Sequence, residues 1–406
     1  MAYSNYLFAL HYLPGVEDAR LFREHCGFAR LFAGVGQYAH ELARHRHERL
    51  RIGYLSPDFA MQINAFFILP LLAHRTRERF DVYCYDTRGA DGSVTEQMRS
   101  LADVWREARD LSAAETAKLI HADEIDILVD LSGHAAGGRT LAVAAHRPAP
   151  VQMTAIGWFD TTGLPAIDYV LADRLAATEE NEDLFLETPL RLQEHPLLCY
   201  TPPSSVRHVK KERARRAAPV FGCFNNFYKI THEQLLLWRE ILERVPGARL
   251  ILKNTAESEA QERRLRRMAA RAGFAEGAVE FRQATSDYLA QYMDIDIALD
   301  TYPYPGGGTT CDALYMGAPV VTRCGRRFGT RFGLSLLSAV GLSELAAATS
   351  AAYVERAVTL AREPELLSAL HESLRRRMEA SPLMDGAGYA HEVEGLYEAA
   401  WRTWLQ

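Results

Sequence analysis

The sequence contains no uninterrupted apolar stretch close to the roughly 18 residues that a transmembrane helix requires. No basic leader precedes the apolar residues of its first segment, so we expect neither a membrane span nor a signal peptide. Basic residues are not in excess either, because 46 Lys and Arg stand against 52 Asp and Glu, a net charge of −6. This balance argues against a nucleic-acid partner or an anionic membrane surface.

Cysteine is scarce, and several well-known site patterns are missing. The six cysteines are scattered and form no CxxC pair with histidines at zinc-binding spacing, which predicts free thiols, a reducing cytoplasm and no metal site. The dinucleotide-binding pattern GxGxxG and the P-loop pattern GxxxxGK[ST] are both absent. No 34-residue period is present, so we expect no tetratricopeptide array.

Hydrophobic periodicity divides the chain into segments of different character. Residues 1–50 carry apolar side chains at three-to-four spacing, which predicts helices. From Arg51, unalternating apolar strands and amphipathic helices follow one another, as in parallel sheets covered on both faces. The predicted parts are a first lobe at 51–200, a proline-containing basic linker at 201–217, a second lobe at 218–380 and a final helix within 381–406.

The predicted fold class is therefore α/β, with two doubly wound Rossmann-like lobes and a short helical N-terminal segment. In such sheets ligands bind beyond the carboxyl ends of the strands, so we expect functional residues there and a ligand in the cleft between the lobes. In the second lobe, Thr231 is predicted to cap one helix and Gly273 to end the next.

A glycine-rich loop follows one predicted strand in the segment DIALDTYPYPGGGTTCDALYMG. The strand ends at Asp300, the glycines are residues 306–308, and Thr309 and Thr310 begin a helix. Glycines allow close backbone approach to a pyrophosphate, and a helix N-terminus carries partial positive charge. Asp312, in the first helical turn, is a candidate ribose ligand or only a favourable charge for the helix dipole. The pattern favours a phosphate site, although a plain turn is equally compatible with it.

Two further segments place polar residues after strands. In FGCFNNFYKI, Asn225, Asn226 and Lys229 follow the first strand of the second lobe, where a lysine can neutralise a leaving diphosphate. The alternative is a capping asparagine beside a solvated lysine. In VDLSGHAAGGR, His134 follows a buried strand, where it is a candidate base or sugar ligand. A structural histidine is the alternative.

Together these segments resemble the catalytic region of the O-GlcNAc transferase and SPINDLY family, especially its bacterial members. The matching pieces are RIGYLSPDF, DILVDLSGHAAGGR, HRPAPVQMTAIGWFDTTGLPAIDY, FGCFNNFYKI, DIALDTYPYPGGGTTCDALYMGAPVVT and ASPLMDGAGY, in the family's order. The resemblance implies a GT-B glycosyltransferase with an acceptor-side first lobe, a donor-side second lobe and a last helix packed back across both. It also implies an inverting mechanism without metal or other cofactor.

The resemblance further implies a nucleotide-sugar donor, UDP-GlcNAc or, in the SPINDLY branch, GDP-fucose, and a protein or peptide acceptor. By motif, Lys229 contacts the diphosphate, and His134 lies in the loop that faces the sugar. Asp110, in EARDLS, matches an aspartate discussed as a proton acceptor. The implied donor-binding residues are Asn226, Tyr288, Gly307, Gly308, Thr309, Thr310 and Asp312.

The chain departs from the family pattern at three places. Gln62 stands where SPDFxxH has histidine, and glutamine cannot act as a general base at neutral pH. Tyr288 stands where a nucleoside-contacting histidine is common, and Gly308 replaces one threonine of the donor loop. Three hypotheses follow: a protein O-glycosyltransferase, a same-fold transferase with another donor (such as UDP-glucose) or another acceptor (an Asn side chain, a glycan or a small metabolite), and a non-catalytic nucleotide-sugar scaffold.

Overall fold

The computed structural model describes residues 2–203, 213 and 216–406. Most of the predicted linker, 201–217, lies outside the described residues. The chain divides into two compact units. The first comprises Met1–Leu10, Val16–Thr201 and Asp385–Gln406, and the second comprises His11–Gly15 and Pro202–Met384. Within the described part of the chain, no helix is both long enough and apolar enough to span a bilayer.

The first unit is built on a parallel sheet of seven strands in the order β3-β2-β1-β4-β5-β6-β7. The strands are β1 (Leu50–Ser56), β2 (Phe80–Asp86), β3 (Val104–Glu107), β4 (Ile127–Asp130), β5 (Val151–Thr154), β6 (Tyr169–Asp173) and β7 (Thr188–Leu192). All four residues of β4 are buried, because helices cover both faces of a parallel sheet. The pairing of β1 with β4 sets Leu55 opposite Asp130, so both strands end at the same edge.

The second unit has a parallel sheet of six strands in the order β10-β9-β8-β11-β12-β13. The strands are β8 (Val220–Cys223), β9 (Arg249–Lys253), β10 (Val279–Arg282), β11 (Ile297–Leu299), β12 (Val320–Arg323) and β13 (Ala346–Ala347). Two parallel doubly wound sheets confirm the predicted α/β class.

The helices alternate with these strands. They are α1 (Ala2–Tyr12), α2 (Asp18–Gly27), α3 (Ala65–Ala73), α4 (Ser93–Leu101), α5 (Ala113–Ala122), α6 (Arg139–Ala144), α7 (His232–Arg244), α8 (Glu259–Ala272), α9 (Gly308–Tyr315), α10 (Phe332–Ala339), α11 (Ser350–Ala361), α12 (Pro364–Glu379) and α13 (Gly386–Trp404). Short 3-10 turns cover Phe28–Phe32, Leu42–His45, Ala135–Gly138, Glu179–Leu184, Phe227–Lys229, Ala290–Asp294, Phe328–Arg331 and Ser343–Leu345.

Helix ends follow local sequence chemistry. Thr231 caps α7 by accepting a hydrogen bond from the Gln234 N–H, and Gly273 ends α8 at a φ of 78°, which confirms both predictions. The last helix, α13, begins after Asp385, whose side chain accepts from the Gly388 N–H. The segment 1–50 is only partly helical, with the 3-10 turn Leu42–His45 leading into β1.

Candidate functional site

Two neighbouring strands of the second unit deliver polar residues to one edge of its sheet. Strands β8 and β11 pair in parallel, with Phe221 opposite Ile297. Their carboxyl ends therefore meet, and each strand runs directly into a polar segment. Asn225 and Lys229 follow β8, while Asp300 follows β11.

Asp300 fixes the loop that carries the glycines. Its buried carboxylate accepts from the backbone N–H groups of Thr301 and Gly306 at 2.8 Å each, and from Asn225 Nδ2 at 3.3 Å. The Thr322 hydroxyl donates to the other oxygen at 2.7 Å. Burial raises the pKa of Asp300, and these hydrogen bonds oppose that effect. The carboxylate therefore holds the start of the glycine loop against β8.

Asn225 connects the lysine to the glycine loop. Its Oδ1 accepts from Lys229 Nζ at 3.2 Å and from the Thr309 hydroxyl at 3.0 Å. Lys229 Nζ also donates to the Pro305 carbonyl at 2.9 Å. Burial lowers the pKa of Lys229 to about 8, and the nearby Asp300 carboxylate opposes that shift. The ammonium group is thus positioned beside the first turn of α9 before any ligand binds.

The first turn of α9 provides the second half of an anion site. Gly307 caps the helix, and the Thr310 hydroxyl donates to the Gly306 carbonyl at 3.0 Å. A side chain at Gly306 would not fit, since an added Cβ would lie 2.2 Å from Thr309 Oγ1. The first N–H groups of a helix have no intrahelical partner, and together with the helix dipole they favour an anion such as a phosphate.

A pocket in the second unit opens onto this cluster. Its lining includes Phe224, Asn225, Tyr292, Asp300, Thr309 and Thr310. The Tyr292 hydroxyl donates to the Thr309 carbonyl at 3.2 Å, and its ring lies 4.6 Å from that of Phe224. The pocket itself is small, and the buried rings of Phe224 and Tyr292 support the first turn of α9 from below.

The other predicted donor residues are placed differently. Asn226 caps the turn Phe227–Lys229, its Oδ1 accepting from the Tyr228 N–H at 2.9 Å. Tyr288 is half-buried, and its pKa is raised first by burial and then by the Asp312 carboxylate. Asp312 itself is buried in α9. The roles predicted for these three residues stay predictions.

His134 lies in the first unit, in the loop after β4, and both ring nitrogens are engaged. Nδ1 is 3.0 Å from the Ser4 hydroxyl, and Nε2 is 2.8 Å from the Thr162 carbonyl. Phe28 and Trp158 pack edge-on at 4.6 and 5.0 Å between ring centres. Burial lowers the pKa of His134 to about 3. This environment is that of a neutral, positioned imidazole rather than a free base.

Asp110 and Gln62 lie on other loops of the first unit. Asp110 is exposed and pairs with the neighbouring Arg109 at 3.4 Å. With its amide turned to satisfy both neighbours, Gln62 donates to Asp58 at 3.0 Å and accepts from Arg88 Nη2 at 3.1 Å. Gln62 therefore joins an acidic and a basic side chain.

The structure thus brings Lys229 and Thr309 together, with Asn225 between them. Asp300 is predicted from the sequence only as the end of an apolar strand, and its role in fixing the glycine loop is seen in the structure alone. The sequence does contain an indication of this role. Asp300 is a carboxylate directly after an apolar strand, and a buried aspartate needs several hydrogen-bond donors around it.

Comparison with known proteins gives this geometry a family. The sequence model of Glycosyl transferase family 41 matches residues 32–194 and 205–393. The chain is 35% identical over 411 residues to a Solanum lycopersicum protein named "Probable UDP-N-acetylglucosamine--peptide N-acetylglucosaminyltransferase SPINDLY", covering 98% of this chain and 44% of that one. It is 29% identical over 411 residues to the Arabidopsis thaliana protein of the same description named SEC, covering 95% and 41%. The chain spans less than half the length of these curated relatives.

Among solved structures, a mutant of Thermobaculum terrenum O-GlcNAc transferase is similar, with a TM-score of 0.91 and 35% identity. The match covers 99% of this chain and 78% of that chain. Anabaena HepE in complex with UDP and glucose has a TM-score of 0.52 at 14% identity, which shows a shared fold alone. The fold is GT-B, and the chain belongs to Glycosyl transferase family 41.

Proposed function

We propose that the chain is an inverting, metal-independent glycosyltransferase that moves GlcNAc from UDP-GlcNAc to a Ser or Thr hydroxyl of a protein. One observation carries the proposal: Lys229 and Thr309 converge on Asn225 Oδ1, at 3.2 and 3.0 Å, where α9 begins. The relatives' names support this donor and a peptide acceptor, since they describe UDP-N-acetylglucosamine–peptide N-acetylglucosaminyltransferases.

The chemistry needs charge stabilisation at the leaving diphosphate. As the acceptor oxygen attacks the anomeric carbon, the bond to the diphosphate breaks and negative charge develops on its oxygen. The Lys229 ammonium and the N–H groups of α9 face such a charge without rearrangement, which is the condition for electrostatic catalysis. These groups supply the stabilisation that a divalent cation provides in other transferases.

The proton of the acceptor hydroxyl needs a separate destination. His134 has both nitrogens occupied, at 3.0 and 2.8 Å, so it is better suited to positioning its loop. Asp110, a water molecule and a donor phosphate oxygen remain. The variant Asp110→Asn distinguishes Asp110 from the other two acceptors. If Asp110 is the general base, the rate should fall about 100- to 10,000-fold. If water or the phosphate oxygen accepts the proton, the variant should stay active.

The test is a stability and turnover screen with UDP, GDP and their sugars in the presence of EDTA. At 100 times its dissociation constant a ligand adds about 2.7 kcal/mol of stability. We expect UDP and UDP-GlcNAc to stabilise the protein and UDP to be released slowly. Stabilisation by GDP but not UDP would indicate that the donor is a GDP-sugar. If no nucleotide stabilises the protein, the proposed donor site is refuted.

A second candidate is a nucleotide-sugar scaffold without transfer activity. The observation in its favour is Gln62, which binds Asp58 and Arg88 where the family pattern has histidine. The two candidates differ in one result, because a scaffold binds UDP-GlcNAc without releasing UDP.

We also propose a reducing, cytoplasmic location. None of the six cysteines forms a disulfide, and Cys84, Cys199, Cys223 and Cys311 are buried. Free thiols are typical of the cytoplasm. A fusion of the chain to a redox-sensitive fluorescent reporter, compared with a secreted control, tests this location.

A further inference from the structure

Two histidines that are close in sequence meet an aspartate about 80 positions away at the amino end of the first sheet. His45 ends the turn Leu42–His45, and His47 follows two residues later. Asp126 directly precedes β4. Because β4 pairs with β1, the carboxylate lies next to the segment that enters β1.

One carboxylate oxygen lies close to both rings. Asp126 Oδ1 is 2.9 Å from His45 Nδ1 and 3.1 Å from His47 Nδ1. The three side chains are well enclosed, with 3%, 12% and 0% exposed for His45, His47 and Asp126. The other oxygen, Oδ2, accepts from the Arg51 N–H at 2.8 Å and lies 2.9 Å from His47 Nδ1, so both oxygens of the carboxylate face the His47 ring.

These atoms have the separation of metal ligands. In a tetrahedral zinc site with bonds of 2.0–2.1 Å, ligand atoms lie about 3.3 Å apart. The two distances from Oδ1 therefore need to grow by only a few tenths of an ångström to admit an ion, and all three ligand atoms lie within 4.8 Å of one another. Two imidazole nitrogens and one carboxylate oxygen are ligands that suit zinc and neighbouring divalent transition metals.

The surroundings supply the second layer of contacts that such sites have. His47 Nε2 lies 3.5 Å from Glu124 Oε2, and a carboxylate on the second ring nitrogen favours the tautomer that leaves Nδ1 free for a metal. His40 adjoins the cluster, with its ring centre 5.6 Å from that of His45. Within the described residues His40 Nδ1 is buried without a hydrogen-bond partner, while its Nε2 contacts the Arg147 carbonyl at 2.8 Å.

We propose that His45 Nδ1, His47 Nδ1 and Asp126 Oδ1 bind one zinc-class divalent ion, with water as the fourth ligand. On binding, each imidazole presents an unprotonated Nδ1 and carries its hydrogen on Nε2, and a proton that a ring holds in excess of this is released to solvent. The ion fastens the segment that enters β1 to the start of β4. Its role is structural, and it is independent of the proposed transfer reaction.

Tryptophans provide a direct readout. Trp404 and Trp401 have ring centres 5.8 and 6.2 Å from that of His45. Co²⁺, which substitutes for zinc, should quench their fluorescence and give the visible absorption of a tetrahedral ion.

The experiment uses the full chain, freed of any affinity tag and stripped with EDTA, titrated with Zn²⁺ by calorimetry and with Co²⁺ by absorption. We expect one equivalent to bind and to raise the melting temperature. His47→Gln and Asp126→Asn should each weaken Zn²⁺ binding at least about 100-fold. This loss is larger than that expected when a residue that only hydrogen-bonds to a metal ligand is replaced. His391→Gln, which changes an exposed histidine of α13, should bind as the unaltered chain does.

Circular dichroism without metal shows whether each variant is folded, and only folded variants are compared. The absence of stoichiometric Zn²⁺ binding to the unaltered chain would overturn the proposal and leave a hydrogen-bonded His–Asp–His cluster. Unchanged affinity in a folded His45→Gln/His47→Gln variant would overturn it as well. Neither result affects the donor site, which the UDP screen tests separately.

Discussion

The Lys229 ammonium group lies 4.7 Å from the centre of the Tyr304 ring. This distance allows a cation–π attraction, which adds to the hydrogen bonds from Lys229 Nζ to Asn225 and Pro305. The side chain is therefore held in place by uncharged groups. Among the residues that the structure describes, no carboxylate forms a direct ion pair with Lys229, so a bound diphosphate does not have to displace one.

Replacing Lys229 with alanine tests this role. We expect kcat to fall about 100- to 1,000-fold, the loss typical for one electrostatic stabiliser of a transition state. Steady-state release of UDP from UDP-GlcNAc measures it. Lys118→Ala, which removes an exposed lysine of α5, is the matched control and should leave kcat unchanged. Activity of Lys229→Ala within tenfold of the unaltered chain would contradict the assignment.

The pH dependence of transfer should reflect the same lysine. Burial lowers the pKa of Lys229 to about 8, and the protonated form is the one that stabilises the leaving group. We therefore expect kcat/KM to fall about tenfold per pH unit above pH 8. In Lys229→Arg the charge persists to a much higher pH, so the decline should disappear. A decline retained in that variant would assign the titration to another group.

Gly306→Ala tests the close approach of the loop. The new Cβ would lie 2.2 Å from Thr309 Oγ1 and 3.2 Å from Asp300 Oδ1, so the first turn of α9 must move. We expect UDP affinity, measured by calorimetry, to fall at least tenfold, about 1.4 kcal/mol. Gly395→Ala is the control, because its Cβ would meet nothing within 4 Å on α13. Equal affinities of the two variants would show that the loop does not contact the nucleotide.

His134→Gln distinguishes a positioning residue from a base. Loss of the contacts to Ser4 and Thr162 should lower the free energy of unfolding by about 1–3 kcal/mol, measured with urea at pH 7.5. The folded pKa of His134 is lowered from 6.5 to about 3, so its contribution is present above pH 6.5 and lost as pH falls toward 3. The variant should show a weaker loss of stability between pH 7.5 and 5. Unaltered stability with a 100-fold fall in kcat would instead identify a catalytic base.

The fold class was predictable because local sequence patterns, such as apolar strands and helix caps, determine where the strands and helices form. Strands such as β4 are buried along their whole length, and their unalternating apolar sequence indicates a sheet covered on both faces. The cap at Thr231 and the end at Gly273 depend on neighbours within four residues. Such features are fixed by short-range chemistry, which a single sequence contains.

Contacts between distant segments were not predictable in this way. His45 and Asp126 are 81 positions apart, and their 2.9 Å contact depends on which strands become neighbours. His134 is a similar case, since the Ser4 hydroxyl that engages it is 130 positions away. The sequence predicted correctly that His134 lies in a loop after a buried strand. Its packing against Phe28 and Trp158 could be seen only in the folded structure.

The first compact unit is discontinuous, because Asp385–Gln406 completes it after the whole second unit has been passed. Glu394 of α13 accepts from the Thr76 N–H at 2.6 Å, and the Tyr397 hydroxyl lies 3.3 Å from that of Tyr54. During synthesis on a ribosome the first sheet is therefore made early but stays without these partners until α13 has been made. All residues of the second unit, His11–Gly15 and Pro202–Met384, are made before α13, so this unit can complete its internal contacts earlier than the first.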